Sequence, residues 1–177
     1  ELNMIQLIIG PMFSGKTTEL LRRLKRAMIA GKKVILLRPV IDTRETITHD
    51  ELKSTGNIPQ ISLSDLNDFD IDSYDYVGID EGQFFKNLKV NVNKWANNGK
   101  HIIVAGLDAT SELTPFEEIL QLIPFAEEVT KLNAVCVKCG SDFGAFTKFV
   151  GQEKKDKILV GGKGLYEARC RKCWDKP

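Results

Sequence analysis

The chain has 177 residues, enough for one domain, or for one domain with a small appendage, which excludes a large multidomain protein. Its 25 lysines and arginines are balanced by 24 aspartates and glutamates, so the formal net charge is +1. A nucleic-acid coat protein or a membrane-surface protein carries a uniform excess of positive charge, which this composition lacks. Any charged ligand must therefore be bound by a local group of side chains.

The N-terminal region does not predict export. The apolar stretch from Met4 to Ile9 is interrupted by Gln6 and lacks the basic flank and cleavage pattern of a secretory signal. No segment reaches the roughly 18 apolar residues that a membrane span requires. We therefore expect a cytoplasmic protein that does not engage a membrane.

The first predicted elements are a strand and a helix. Residues 5–9 are aliphatic and end at Gly10, which predicts a buried strand that runs into a turn. A helix is predicted from Thr17, with Gly31 at its C-cap. Its apolar face consists of Leu20, Leu21, Leu24, Ala27 and Met28.

Short apolar runs predict three further strands, at residues 34–37, 76–79 and 102–105. Strands that alternate with helices predict an α/β protein with a parallel sheet. Residues 39–62 and 137–170 do not fit this alternation, and we predict that both are functional loops.

Two more helices follow from local patterns. One is predicted to end at residues 98–99, because three apolar residues recur at helical spacing before it: Leu88, Val92 and Trp95. The other is predicted to begin with Thr114 as N-cap, Pro115 at its first position and Glu117 completing a capping box.

The segment GPMFSGKT, residues 10–17, matches G-x-x-x-x-G-K-[ST] between a predicted strand and a predicted helix. Glycines let successive backbone N–H groups point inward, and the helix adds its positive N-terminal end, so the loop is suited to hold phosphates. Lys16 can bridge β- and γ-phosphates, and the Thr17 hydroxyl can bind Mg²⁺. The alternative is an ordinary glycine turn with a surface lysine.

Two carboxylates, Asp80 and Glu81, follow the predicted strand at 76–79. An aspartate at such a strand end holds the metal in P-loop proteins, and Glu81 could accept a proton from a nucleophile facing the γ-phosphate. Two solvated carboxylates at a turn are the alternative. These residues leave open whether the phosphoryl group passes to water or to an alcohol.

Four cysteines form two Cys-x-x-Cys pairs, a strong zinc pattern: Cys136, Cys139, Cys170 and Cys173. Four sulfur ligands leave no open coordination position, so the zinc would be structural. Free buried thiols are the alternative. The glycine-containing segment between the pairs could be a lid over a small uncharged group or a plain hairpin loop.

Taken together, several segments resemble the type II, cytosolic thymidine kinases, and the match runs from about Ile5 to Cys173. They are GPMFSGKTTEL, GIDEGQFF, PFEEIL after LDAT, CVKC and YEARCRKC. The resemblance implies a RecA-like P-loop fold, with an ATP-binding α/β domain at residues 1–133 and a zinc-binding lasso domain at residues 134–177.

It also implies that the γ-phosphoryl group of ATP passes to the 5′-hydroxyl of thymidine, and also of deoxyuridine, in nucleotide salvage for DNA synthesis. Glu81 would be the general base, and Thr17 and Asp80 would serve Mg²⁺. The implied ATP-binding residues are Gly10, Pro11, Met12, Phe13, Ser14, Gly15, Lys16, Thr17, Thr18, Asp42, Thr43, Arg44, Asp80 and Gln83.

The resemblance implies a nucleoside pocket in which Met12 faces the base methyl group and backbone groups around residues 159–161 read the polar edge of thymine. The implied lining residues are Met12, Phe84, Phe116, Thr147, Ile158, Leu159, Val160, Gly161 and Tyr166. Ser111 departs from the family, whose members often carry an aromatic residue there. His49 and His101 are read as ordinary loop and structural residues. A homotetramer inhibited by thymidine triphosphate is implied as well.

A zinc-ribbon ATPase that couples hydrolysis to nucleic-acid binding is the rival prediction, since an Asp-Glu pair after a P-loop also occurs in such motors. A strand-binding motor would need a basic groove with stacking aromatic residues. Here lysine and arginine cluster mainly on the helix after the P-loop, which favours the kinase and predicts no nucleic-acid partner.

Overall fold

The computed structural model describes residues 3–40, 56–151 and 164–177. At its centre is a sheet whose strands are β1 (Met4–Gly10), β2 (Val34–Pro39), β3 (Gln60–Leu63), β4 (Tyr76–Ile79), β5 (His101–Leu107) and β6 (Glu128–Lys131). All neighbours pair in parallel, in the order β3-β2-β4-β5-β1-β6. The predicted α/β fold class is confirmed.

Helices cover both faces of this sheet. They are α1 (Lys16–Ile29), α2 (Leu88–Asn97) and the single turn α3 (Glu117–Leu120). Alternate residues of β1 point to opposite faces: Leu7 packs in the core on the α2 side, whereas Ile8 packs on the α1 side. Strands buried on both faces explain the continuous apolar runs in the sequence.

The early elements confirm the local sequence signals. α1 begins at Lys16, one residue before the predicted start, and the Gly31 N–H donates to the Met28 carbonyl at 2.9 Å after α1 ends. β3 and β6 were not predicted. Both lie at the edges of the sheet and are mostly exposed, so they lack the apolar run that marks a central strand.

The predicted helix start at Thr114 is wrong. The helix begins at Glu117, and Pro115 instead forms an isolated antiparallel bridge with Ala109. Thr114 closes a tight loop, because its carbonyl accepts from the Thr110 N–H at 2.9 Å and its N–H donates to the Thr110 hydroxyl at 3.2 Å. The residues of a capping box are thus used for a turn.

The order of the strands decides where the two predicted motifs meet. β5 lies between β1 and β4, with Gly10 opposite Leu107 and Ile79 opposite Val104. In a parallel sheet the carboxyl ends of neighbouring strands share one edge, and ligands bind there. The loop after Gly10 and the carboxylates after Ile79 therefore lie at the same edge.

A two-stranded antiparallel ribbon, β7 (Phe146–Phe149) and β8 (Tyr166–Arg169), lies in the segment predicted as a loop. We call residues 134–151 and 164–174, which contain this ribbon and the four cysteines, the cysteine module. Within the described residues, no helix is both long enough and apolar enough to cross a membrane.

We predict that Gly78→Ala lowers the free energy of unfolding by about 1 to 3 kcal/mol through overpacking. A Cβ atom at Gly78 would lie 2.5 Å from Cδ1 of Leu24, a fully buried residue of α1. Urea unfolding measures the effect. Leu24→Ala, which removes the clashing atoms, is the partner in a double-mutant cycle, and strictly additive costs would contradict the predicted contact.

Candidate active site

The glycine loop at residues 10–15 connects β1 to α1 and is shaped by backbone conformations that favour glycine. Gly15 precedes α1 with φ 84°, in the left-handed region. At Gly10 a Cβ atom would lie 2.5 Å from the Leu132 carbonyl oxygen, so no larger residue fits. Phe13 also has a positive φ, 66°, and its side chain is exposed.

Lys16 lies against this loop. Its Nζ donates to the Pro11 carbonyl at 2.6 Å and to the Ser14 hydroxyl at 3.4 Å. Burial lowers the pKa of Lys16, and the negative charges of Glu81, Asp80 and Asp108 oppose that shift. A lysine ammonium group is therefore held between the loop and a cluster of carboxylates.

Thr17 connects the loop to the acidic pair. Its hydroxyl lies 3.1 Å from each carboxylate oxygen of Asp80, which is 3% exposed. Burial raises the pKa of Asp80, whereas Arg38, Thr17 and the Glu81 N–H favour its ionised form. The glycine loop and the acidic pair are therefore in direct contact.

Arg38, next to last in β2, was not predicted as a site residue. Its Nη1 lies 3.6 Å from Asp80 Oδ2, and its Nε and Nη2 have no hydrogen-bond partner among the described residues. The sequence does place Arg38 directly after the predicted strand at residues 34–37, at the carboxyl end where ligands bind in a parallel sheet. The pairing of β2 with β4, which brings Leu37 opposite Ile79, was not known from the sequence.

Glu81 is held from two directions. Its N–H donates to Asp80 Oδ1 at 3.0 Å, and its Oε2 accepts from Gln83 Nε2 at 2.7 Å. The Gln83 side chain is buried, and its Oε1 accepts from the Leu107 N–H at 3.1 Å. Gln83 therefore ties the Glu81 carboxylate to the end of β5. Burial, and then repulsion by Asp80, raises the pKa of Glu81.

An apolar cluster adjoins the loop. It contains Met12, Leu107, Phe116, Phe149 and Tyr166. The Phe84 ring meets the Phe116 ring edge to face, with centroids 6.4 Å apart, and the Phe149 and Tyr166 rings are 5.3 Å apart. The structure brings together the predicted Met12, Phe84, Phe116 and Tyr166. Sequence reasoning missed Leu107 and Phe149, which carry no motif of their own.

Thr147 is buried on β7 and accepts a hydrogen bond from the Met12 N–H at 3.0 Å. Thr18 is exposed in the first turn of α1, and Ser111 lies in the tight loop before α3. Several predicted site residues lie outside the described residues: Asp42, Thr43, Arg44, Ile158, Leu159, Val160 and Gly161.

His49 also lies outside the described residues. His101 stands at the opposite edge of the sheet, at the start of β5. Its Nε2 is 2.8 Å from Gln6 Oε1, and its ring stacks on Tyr76 with centroids 4.3 Å apart. These contacts agree with a structural role.

The four cysteine sulfurs all lie within 4.8 Å of one another, and those of Cys139 and Cys170 are 3.7 Å apart. Tetrahedral zinc with sulfur at about 2.3 Å places its ligands about 3.8 Å apart. Backbone N–H groups, first that of Cys170 and then those of Lys138 and Cys139, lower the pKa of Cys136 to about 6. The cluster is compatible with zinc binding.

A glycine loop that joins a central strand to the N-terminus of a helix, with its threonine bonded to an aspartate at a neighbouring strand end, defines a P-loop nucleotide-binding protein. The family model described as thymidine kinase matches residues 3–174. The chain therefore belongs to the thymidine kinase family.

Three viral relatives are named thymidine kinase. That of sheeppox virus (strain KS-1) is 46% identical over 175 residues, covering 96% of each chain. That of myxoma virus (strain Lausanne) is 44% identical over 96% of this chain and 95% of its own. That of vaccinia virus (strain Western Reserve) is 43% identical over 96% of each chain. The similarity to each of these relatives thus extends over nearly the whole chain.

We predict that Cys136→Ser removes bound zinc, because a four-sulfur site loses a ligand from its buried side. The zinc content of the purified protein, measured by elemental analysis, should fall from about one zinc per chain to a small fraction of that. Val135→Ser, at an exposed neighbouring position, is the matched control and should keep its zinc. Equal zinc contents in the two variants would rule out this site.

Arg38→Met should lower the free energy of unfolding by about 3 to 5 kcal/mol, because it removes the cation that lies 3.6 Å from the buried Asp80 carboxylate. Arg38→Lys keeps a positive charge beside Asp80 and should cost about 1 kcal/mol or less. Denaturant unfolding of both variants measures the difference, and equal losses would show that the charge is not the stabilising feature.

Proposed function

We propose that this protein transfers the γ-phosphoryl group of ATP to the 5′-hydroxyl of thymidine, giving thymidine monophosphate and ADP. The observation that carries the proposal is the contact between Thr17 and Asp80, which joins the phosphate-binding loop to the acidic pair at one sheet edge. Membership of the thymidine kinase family supports the choice of an alcohol acceptor over water.

The triphosphate lies in the glycine loop, over the N-terminus of α1. Backbone N–H groups of residues 13–18 and the helix dipole favour anionic oxygens there. Lys16 Nζ donates one of its three hydrogens to the Pro11 carbonyl and can direct the others to β- and γ-phosphate oxygens. Asp42, Thr43 and Arg44 belong to the ATP site by resemblance to the family.

The oxygen ligands available at the sheet edge fit Mg²⁺. Thr17 offers a hydroxyl and Asp80 a carboxylate, the oxygen ligands that this ion prefers. These two residues would hold Mg²⁺, which would neutralise the charge of the phosphate oxygens when bound. Arg38 places a further positive charge beside Asp80.

Glu81 is the general base. The thymidine O5′ forms a bond to the γ-phosphorus, the bond from that phosphorus to the β,γ-bridging oxygen breaks, and its electron pair leaves with ADP. The hydroxyl proton passes to a Glu81 carboxylate oxygen. Gln83 holds that carboxylate in place through its bond to the β5 backbone, and the raised pKa of Glu81 suits a group that must accept a proton.

The apolar cluster forms the nucleoside pocket, with Met12 facing the base methyl group and Phe84 and Phe116 as walls. Tyr166 and Thr147 come from the cysteine module, and backbone groups around residues 159–161 read the polar edge of the base by resemblance to the family. Deoxyuridine lacks only the methyl group and is accepted too, since losing one methyl contact costs about 1 kcal/mol.

We further infer the finer features of the family. Zinc bound to the four cysteines is structural, residues 134–177 form a lasso domain on the ATP-binding domain of residues 1–133, and the enzyme is a cytoplasmic homotetramer in nucleotide salvage. Thymidine triphosphate inhibits it, because that molecule carries both a thymine base and a triphosphate. The fit of the cysteine sulfurs to a tetrahedral ion supports the first of these features.

The rival function, a nucleic-acid-stimulated ATPase, is not favoured. Two arginines of α1 that could contact a phosphate backbone are engaged in ion pairs: Arg22 with Glu19 at 2.8 Å, and Arg23 with Glu128 at 2.8 Å. Phosphoryl-transfer assays that compare thymidine with single-stranded DNA separate the two. Product formation should require thymidine, and ADP release stimulated by DNA alone would reverse the assignment.

Glu81→Gln should lower kcat by about 10² to 10⁴, the usual contribution of a general base, while ATP affinity stays close to that of the wild type. Steady-state kinetics and nucleotide titration measure the two effects. Glu117→Gln, at an exposed carboxylate, is the control and should leave kcat unchanged. A loss smaller than tenfold in the Glu81 variant would remove Glu81 from this role.

The pH dependence of kcat has a defined sign. The base must be ionised, and burial raises the pKa of Glu81 above its ordinary value of 4.5. Activity should therefore be full at higher pH and be lost as the pH falls through this raised pKa. The residual activity of Glu81→Gln should lack that acid limb; an unchanged limb would assign it to another group.

A further inference from the structure

The peptide unit between Pro11 and Met12, in the glycine loop that we propose binds phosphate, makes hydrogen bonds through both its carbonyl and its N–H group. The Pro11 carbonyl accepts from Lys16 Nζ at 2.6 Å and from the Ser14 hydroxyl at 2.8 Å. The Met12 N–H of the same unit donates to the Thr147 hydroxyl oxygen at 3.0 Å. In a planar trans peptide the C=O and N–H groups point in opposite directions. A rotation of this unit would therefore break all three hydrogen bonds together.

Thr147 lies far from the loop in the sequence, 135 residues after Met12, and belongs to the cysteine module. Thr147 is 3% exposed, and it pairs with Ala168 in the β7–β8 ribbon. β8 ends at Arg169, directly before Cys170 of the sulfur cluster. The position of the Thr147 hydroxyl is thus set by the ribbon and not by the loop it touches.

We propose that Thr147 is a positioning residue for the phosphate loop. Its hydroxyl fixes the direction of the Met12 N–H and thereby turns the Pro11 carbonyl toward Lys16 and Ser14. The cysteine module then contributes to nucleotide affinity as well as to the nucleoside pocket. This inference rests on the proposed binding of ATP at the loop.

The Met12 side chain makes a second contact between the loop and the cysteine module. It packs in the apolar cluster with Tyr166 and Phe149, both of which come from the cysteine module. One residue of the phosphate loop is therefore held by the module through its N–H and through its side chain. Met12 therefore belongs to both the nucleotide site and the nucleoside site, so a change in the cysteine module should alter binding at both sites.

The test separates the Thr147 hydroxyl from its methyl group. Thr147→Val keeps the shape and removes the acceptor, whereas Thr147→Ser keeps the acceptor and removes the methyl. Calorimetric titration of each full-length variant with Mg²⁺ and ADP, without thymidine, gives Kd. We expect Thr147→Val to weaken ADP binding about three- to tenfold, the effect of one lost hydrogen bond. Thr147→Ser should stay within about twofold of the wild type.

A Thr147→Val variant that binds ADP like the wild type would overturn the inference. So would equal weakening in both variants, since that result would assign the effect to packing. Zinc content and thermal unfolding report whether each variant is folded. If Thr147→Val does not fold, hydrogen exchange at the Met12 amide of nucleotide-free wild-type protein decides: slow exchange is expected, and exchange as fast as that of an exposed amide would overturn the inference.

The same titration distinguishes this inference from the proposed function. Wild-type protein that fails to bind ADP would overturn the kinase assignment and with it the role of Thr147. Wild-type protein that binds ADP, together with an unaffected Thr147→Val variant, would overturn only the role of Thr147.

Discussion

The hydrogen bond from the Thr17 hydroxyl to the Asp80 carboxylate is the contact on which the site depends. It joins residues 63 apart in the chain and connects the first turn of α1 to the end of β4. With that contact in place, Lys16 and Glu81 follow their neighbours to the same sheet edge. A charged hydrogen bond of this kind is stronger than a neutral one, and its burial leaves little competition from water.

Several charges are concentrated at this edge, and each is balanced by another. Lys16 and Arg38 oppose the buried Asp80 and the half-buried Glu81, while Gln83 satisfies an oxygen of Glu81. A buried ion pair does not by itself stabilise a fold, because desolvation offsets most of the attraction. The arrangement is better understood as an environment prepared for a polyanion, with stability supplied by the apolar cores on the two faces of the sheet.

Local signals in the sequence predicted the central strands, the two longer helices, the glycine loop, the acidic pair and the cysteine cluster. These local signals could not show which strands lie next to each other in the sheet. The role of Arg38 depends on β2 lying beside β4, and edge strands β3 and β6 carry no apolar run. Glu81 has a left-handed backbone conformation, with φ 53°. This conformation costs a non-glycine residue about 1 kcal/mol and persists only because the surrounding structure holds it, so the sequence around Glu81 does not predict it. At Thr114, a turn competed with the predicted cap.

The place of β5 has a consequence for synthesis on the ribosome. A nascent chain that has exposed β1 to β4 already carries both motifs, yet β1 and β4 are not neighbours and cannot pair correctly. Both strands keep an open edge until His101 to Leu107 emerges and fills the gap between them. Open apolar edges invite wrong pairing, so this interval is when the chain most needs protection by chaperones.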